Sequence, residues 1–403
     1  MDAPTTEADL DGDDGWQPAP RVVAKPGEFR PLQIGPLTVD PPVVLAPMAG
    51  ITNAPFRQLC RSFSGGRCLY VSEMITARAF VEGHAKTLKL ASFGPDETGR
   101  RSIQLYGTHE GALGEAARIL VNDWGVEHID MNFGCPVRKV TSAGGGSAIP
   151  ARPKLMARIV RAVVKGAGAV PVTIKFRKGI HDQLLTFLDA GRVGEQEGAR
   201  SLALHARTAQ QLYSGRADWD AIAELKQATK TIPVLGNGDI FEPWDALQMM
   251  RQTGCDGVVV GRGCLGRPWL FGEIVDVFDG KEPRPLPTLG EIKATMQQHA
   301  RMLCAFFSEK HGMAQMRKFT GWYLKGFPGA KRQLGALHMV RSLEEFDALL
   351  APLPDHLPYP IGSIRARRCK DGRPQDHVAL PDGFLECRDE DVCVDDPLEM
   401  DGG

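Results

Sequence analysis

The chain has 403 residues, a formal net charge of −1, 43% hydrophobic and 24% charged residues, and nine cysteines. Its length exceeds the roughly 250 residues of a single (β/α)8 barrel, so one barrel with a smaller appendage is expected, and no apolar run nears the roughly 20 residues a membrane span needs. The cysteines form no CxxC pair, the spacing of Cys369, His377, Cys387 and Cys393 is too irregular for a tetrahedral metal site, and the N-terminus lacks an apolar leader. Reduced thiols, no bound metal and a cytoplasmic location are therefore expected.

Residues 1–30 open with Asp2, Glu7, Asp9, Asp11, Asp13 and Asp14 and read as an acidic, disordered tail. From 31 to 285, short β-branched runs alternate with helical patterns. Eight strands are predicted: Val43–Pro47, Cys68–Ser72, Ser102–Tyr106, His128–Asn132, Val172–Phe176, Ser201–His205, Ile232–Gly236 and Gly257–Gly261. Near-continuous apolar runs such as VVLAP, VTIKF and GVVVG are those of strands buried on both faces, and eight suggest a closed parallel TIM barrel. Helices are expected over Glu110–Trp124, Pro153–Lys165, Gln183–Glu197 and Pro243–Thr253, two of them with proline in the first turn, where a missing N–H costs nothing. Polar residues fall at the C-terminal ends of the strands, which favours the barrel over an open doubly wound sheet.

Pro283–Pro287 reads as a linker to a small all-α domain over 286–355. Between Glu291 and Arg341 nine basic residues stand against two acidic ones, a local charge of +7 that the overall average conceals. Residues 356–403 start with the basic cluster Arg365, Arg367, Arg368, Lys370 and Arg373, then turn acidic and read as disordered.

The densest chemistry is Asp130-Met131-Asn132-Phe133-Gly134-Cys135-Pro136, at the end of the fourth predicted strand and followed by the glycine run 144–146. A thiol there could be a core cysteine. Pro136, which stops the strand, and the glycines, which let backbone approach a ligand, favour a functional one. With an ordinary pKa near ~8.5 it can serve as a general acid as well as a nucleophile. Lys175 with Arg177, and His205 with Arg207, end the next two strands at spacings of two, so Lys175 and His205 should point into the barrel mouth. A charged group facing a barrel interior asks for an anion. Asn237-Gly238-Asp239 and Gly261-Arg262-Gly263 end the seventh and eighth strands, where barrels commonly cradle a phosphate, although glycine pairs also make simple turns. Pro47, Met48, Ala49 and Gln104 offer an apolar-plus-amide surface suited to a flat ring.

Taken in order, LAPMAGITNAPFR, SEM, QLYG, DMNFGCPVRKV, TIKFRKG, LHARTAQQLYSG, NGDI, GRG and WYLKGFPGA resemble the tRNA-dihydrouridine synthases from about residue 35 to 350. The resemblance implies FMN held by Pro47, Met48, Ala49, Gln104, Lys175, His205, Asn237, Gly238, Asp239, Gly261 and Arg262, with NADPH as reductant. It also implies Cys135 as the acid that protonates C5 of a uracil. Asn132, Lys139, Arg177 and Arg207 would then lie near the base, and Arg317, Lys318 and Lys325 of the helical domain would grip the tRNA. A monomer with RNA, rather than DNA or membrane, as its partner is expected. Trp322 and Tyr323 could be RNA-facing aromatics or core packing. A flavin barrel acting on a free pyrimidine, and a non-catalytic RNA-binding protein on a decayed barrel, are the competing readings; the basic domain opposes the first and the intact polar strand ends oppose the second.

Overall fold

A computed structural model describes residues 18–366 and 373–386. Eight parallel strands close into a barrel in sequence order: β1 (Val43–Leu45), β2 (Leu69–Thr76), β3 (Ser102–Tyr106), β4 (His128–Phe133), β5 (Val172–Arg177), β6 (Leu202–His205), β7 (Val234–Asn237) and β8 (Gly257–Val260). The ring shuts where Val258–Val260 of β8 pair with Val43–Leu45 of β1. Around it run α1 (Ala54–Phe63), α2 (Glu110–Asn122), α3 (Pro153–Ala167), α4 (Phe187–Gln196), α5 (Trp219–Ala228), α6 (Pro243–Thr253) and α7 (Leu270–Phe278), with two short helices, Ala77–Val81 and Ala85–Ala91, after β2. Each strand is buried along most of its length because helices cover the outside and side chains fill the inside, as the apolar runs required.

The barrel floor is closed by an element outside the expected eight. An antiparallel hairpin, Leu32–Ile34 with Leu37–Val39, turns on Gly35 at φ 56° and inserts Leu32, Ile34 and Val39 among Val44, Leu69, Ala203, Leu235 and Val259. Its signal was the apolar–polar alternation either side of Gly-Pro. Two further expectations shift. The helix expected from Gln183 starts at Phe187, because Gly179–His181 and Leu184–Leu185 form a small hairpin first. The N-terminal tail is not disordered through residue 30: Ala24 is buried with Trp244, Leu247 and Val277, and Arg251 holds Glu28 at 2.7 Å together with the carbonyls of Val22 and Val23.

The helical domain comprises α8 (Leu289–Phe307), α9 (Glu309–Tyr323), α10 (Ala330–Leu337) and α11 (Leu343–Leu350). The side chain of Thr288 caps α8 in a reciprocal capping box with Glu291. An aromatic seam joins this domain to the barrel: Phe56 of α1 stacks on Phe319 of α9 at 5.5 Å, and buried His299 packs its ring 4.5 Å from Phe319 while bonding the Tyr323 hydroxyl at 3.2 Å. Burial pulls His299 down to about 3, so the seam is uncharged at neutral pH. Tyr323 is thus core, and half-buried Trp322 packs edge-on to Phe319.

Charge in this domain differs from the count that stopped at Arg341. Immediately beyond lie Glu344, Glu345, Asp347 and Asp355, which reduce the excess from +7 to +3 across 289–355. Two of them are paired, Arg301 with Asp347 at 3.0 Å and Lys293 with Asp355 at 2.7 Å.

The expected disordered C-terminus is corrected as well. Arg365 is not part of a solvated basic cluster; it reaches Asp245 at 2.6 Å in the first turn of α6 and its N-cap Glu242 at 3.0 Å. Residues 373–386 lie as a strap across the rim of the barrel, with Phe384 only 3% exposed. Arg367, Arg368, Lys370, Cys369, Cys387 and Cys393 lie outside the described residues.

Phe319→Ala should destabilise the protein by about 3–5 kcal/mol, since it removes a large buried ring from the seam. The measurement is the urea midpoint, and an unshifted midpoint would mean that the seam contributes nothing.

Candidate active site

Alternation along β4 turns His128, Asp130 and Asn132 inward, and they form the base of the site. Ser102 and His128 share a 2.7 Å hydrogen bond, His128 meets Thr173 at 3.0 Å, and Thr173 donates to Asp130 at 2.6 Å. Gln104 donates through Nε2 to the other Asp130 oxygen at 2.7 Å, which turns its amide oxygen away from Asp130. Burial raises Asp130 to about 6, and burial lowers His128 to about 3. Above this network stands Lys175, brought down to about 8 chiefly by burial and then by Arg177, with Asp130 opposing.

At the end of β4 the chain bends sharply. The Asn132 Oδ1 accepts from the N–H groups of Gly134 and Cys135 at 3.0 and 2.9 Å, and its Nδ2 lies 3.0 Å from the Met74 sulfur. The amide expected to lie near a substrate base thus also shapes the cysteine loop. Arg177 has the same fate. Only 3% exposed, it donates Nε to Gly134 O at 3.0 Å and Nη1 to Thr208 O and Leu212 O at 2.8 and 2.7 Å, so it braces the loop from within. On the far side, Ser147 N donates to Cys135 O at 3.0 Å. Gly146 makes that approach possible: its φ is 55°, and a Cβ there would sit 2.5 Å from Cys135 O. Cys135 itself is half-buried. Burial raises its thiol above the ordinary value, against the opposing effects of the Val137 N–H and the charges of Arg177 and Lys175. It stays protonated at neutral pH.

The ends of β6, β7 and β8 build a second feature. Ala46, Pro47, Met48, Lys175, His205, Tyr213, Asn237, Gly238, Asp239, Gly261 and Arg262 line one cavity. The turn at Gly238 and Asp239 is tightly specified, with Asp239 at φ 57° and Gly238 placed so that a Cβ would lie 2.5 Å from Ala217 Cβ. Arg207, expected near a substrate, is 1% exposed and instead fixes this turn: Nη2 meets both Asp239 oxygens at 2.9 and 2.8 Å, and Nε donates to Ser214 O at 3.0 Å. Asn237 donates to Val259 O at 2.7 Å, locking β7 to β8. Arg262 lies 4.5 Å from the ring of Tyr213, a residue the sequence reading did not single out. Burial, then the charges of Arg177, Lys175, Arg207 and Arg262, hold His205 well below its ordinary range and neutral. Four cations around a neutral imidazole, with Asp239 paired to Arg207 and Arg262, leave an excess of positive potential suited to a phosphate dianion.

A larger cavity of about 760 Å³ opens between the barrel mouth and the helical domain. Ala49, Gly50, Glu73, Met74 and Tyr106 line it from the barrel, with Lys86 and Lys89 from the helices after β2, Lys139 from the cysteine loop, and Phe307, His311, Gln315 and Lys318 from α8 and α9. Lys139 and Lys318 are there as expected. Lys318 donates to Gly50 O and Gln315 Oε1, and burial lowers its pKa although Glu73 opposes. Arg317 is directed elsewhere, donating to Val340 O at 2.9 Å and Met339 O at 3.3 Å, and so closes the helical domain on itself. Lys325 is half-buried in the turn after α9 and does not line the cavity. Lys86, Lys89, Phe307, His311 and Glu73 were missed. The signal for Lys86 and Lys89, the repeated lysines of AKTLKLA, carries meaning only once that helix is seen to overhang the mouth. Among the described residues no cluster of three or more His, Cys, Asp or Glu is placed to hold a metal, and no helix is long and apolar enough to cross a membrane.

An acid-bearing loop on β4, an anion cradle on β6 to β8 and a lysine-lined cleft at the C-terminal ends of the strands make this a (β/α)8 barrel whose chemistry sits at its catalytic face. The fold is shared with histamine dehydrogenase from Rhizobium sp. 4-9, at TM-score 0.50 and 13% identity, over 82% of this chain and 65% of that one. By sequence, residues 44–352 match the family described as Dihydrouridine synthase (Dus), and the chain belongs to that family. It is 50% identical over 369 residues to a probable tRNA-dihydrouridine synthase of Mycobacterium tuberculosis, covering 90% of this chain and 94% of the relative. It is also 40% identical over 301 residues to tRNA-dihydrouridine synthase B of Pseudomonas aeruginosa, with 74% and 89% covered.

Alkylation of Cys135 should titrate with a midpoint above the ordinary thiol value. In Lys175→Met, which removes a nearby positive charge but no hydrogen bond of the loop, the midpoint should move higher still. Peptide mass spectrometry after iodoacetamide treatment across pH measures both, and a downward shift in the variant would refute this account of the electrostatics.

Proposed function

We propose that this enzyme reduces the C5–C6 double bond of uridine in tRNA to 5,6-dihydrouridine, with FMN in the barrel mouth and NADPH as reductant. The observation that carries this reading is the Cys135 thiol, held protonated on the loop after β4, whose following residues Val137 and Lys139 line the lysine-bearing cleft. The chemistry FMN supplies when bound is hydride delivery to C6 of the base. Lys175, neutral His205, Arg262, the Gly238-Asp239 turn and Gly261 fit its phosphate and ring, and Gln104 offers an amide oxygen fixed by Asp130. Pro47 and Met48 supply apolar wall, with Asn237 fixing the β7 end, while Ala49 lines the larger cavity.

Cys135 gives its proton to C5, completing the addition of two hydrogens, and the resulting thiolate is held by the Val137 N–H and by Arg177 and Lys175 until water reprotonates it. Asn132 and Arg177 act through the loop rather than on the base. Arg207 acts through Asp239. A stacked uracil cannot present C5 and C6 to the barrel mouth, so the nucleotide enters flipped out. Lys86, Lys89 and Lys139 line the cleft where its flanking phosphates pass, and Lys325 extends the basic face. Lys318 ties the cleft wall to the loop after β1.

Cys135→Ala should lower single-turnover reduction of unmodified tRNA by about 100-fold or more while leaving flavin content unchanged, the range expected for losing a general acid. The wild-type rate should fall at alkaline pH as the raised thiol deprotonates. Undiminished reduction by the alanine variant would sink the mechanism, and turnover of free uracil or orotate at rates matching tRNA would favour a free-pyrimidine enzyme.

A further inference from the structure

The strap formed by residues 373–386 lies beyond the 44–352 match to the family, yet it touches both supports of the cysteine loop. The first is the 3-10 segment Gly146–Ala151, whose Ser147 N holds Cys135 O. Phe384 is buried against Ala148, Ala151 and Ile180, lies 5.4 Å from the Arg152 guanidinium, and abuts Gly144 so closely that a Cβ there would be 2.8 Å from the ring. The second support is the 208–212 segment, whose Thr208 and Leu212 carbonyls anchor the guanidinium that holds Gly134 O. The strap clasps the middle of that segment: Gln375 N donates to Gln210 O at 2.9 Å, Gln375 Nε2 to Ala209 O at 2.9 Å, and Gln210 Nε2 to Asp376 O at 3.0 Å.

We propose that this C-terminal strap is a positioning element for the proton-donating thiol, with Phe384 as its anchor and Gln375 as its clasp. The proposal rests on the reading of Cys135 as the acid. Phe384 belongs to a satellite cluster of four buried residues, separate from the main barrel core. Removing its ring therefore loosens what the cluster supports and leaves the core packed. The supported object is the bend that carries Cys135, and a small displacement of a reacting group costs rate without costing affinity.

The test compares full-length Phe384→Ala, Gln375→Ala and Leu385→Ala, the last altering a neighbouring exposed side chain as a control. Two readouts are taken: iodoacetamide alkylation of Cys135 at fixed pH, and steady-state tRNA reduction. Phe384→Ala should raise alkylation about 10-fold and lower kcat about 10- to 100-fold, with KM for tRNA and flavin content unchanged. Phe384→Leu should restore most of both, and Leu385→Ala should match wild type. Gln375→Ala should move both readouts in the same direction by less, and it decides the matter if Phe384→Ala does not fold. Unchanged alkylation in both strap variants overturns the proposal, as does a loss of kcat matched by a loss of flavin. A wild-type protein that alkylates as described but never reduces tRNA would refute the proposed function, while the alkylation results would still judge the strap's hold on the loop.

Discussion

Arg177 holds the site together from a position where its guanidinium reaches three loop carbonyls and almost no solvent. A buried cation of this kind is tolerated only because carbonyl dipoles take up its donors, and burial still lowers its pKa to about 10. Its charge does two things at once. It biases the Cys135 thiol toward ionisation, against burial, and it helps keep His205 neutral. Removing it would leave the Gly134 carbonyl and the β6 loop without their common anchor, so geometry and electrostatics at the thiol are set by one side chain.

Around that anchor the barrel separates two electrostatic tasks. The β6 to β8 rim concentrates positive charge beside neutral imidazole, a cradle for an anionic group. The β3 to β5 floor instead carries a hydrogen-bonded chain from Ser102 through His128 and Thr173 to Asp130, which orients the amide of Gln104. Burial pushes the floor groups toward their uncharged forms.

The large cleft depends on packing between the barrel and α8–α9. The aromatic seam of Phe56, Phe319, His299 and Tyr323 sets the distance between the barrel mouth and the helical domain, and so the width of the cleft. Lysines that face it come from the helices after β2 and from the cysteine loop as well as from α9. Much of the charge of the helical domain is spent internally, on Asp347, Asp355 and the carbonyls beyond α10. The positive charge that faces the cleft is therefore shared with the barrel, a division that counting charge by segment conceals.

The amino-acid sequence by itself determined the eight strands, the order of the barrel, the position of the Cys135 loop and the two glycine turns. Apolar runs, strand-ending prolines and Gly-rich turns are local signals, and they act over a few residues. It equally determined that Lys175 and His205 share an inward face, because strand alternation has a period of two. Only the tertiary structure decided that Arg177, Arg207 and Arg317 turn to backbone carbonyls or Asp239, that Lys86 and Lys89 overhang the mouth, and that Phe384 seats beside Gly144. Those outcomes depend on which long side chain finds an acceptor on another segment, as Arg177 does at Gly134 and Thr208, 43 and 31 residues away in sequence. A charged residue's partner is chosen by the folded surroundings that desolvate it, and that choice leaves no periodic trace along the chain.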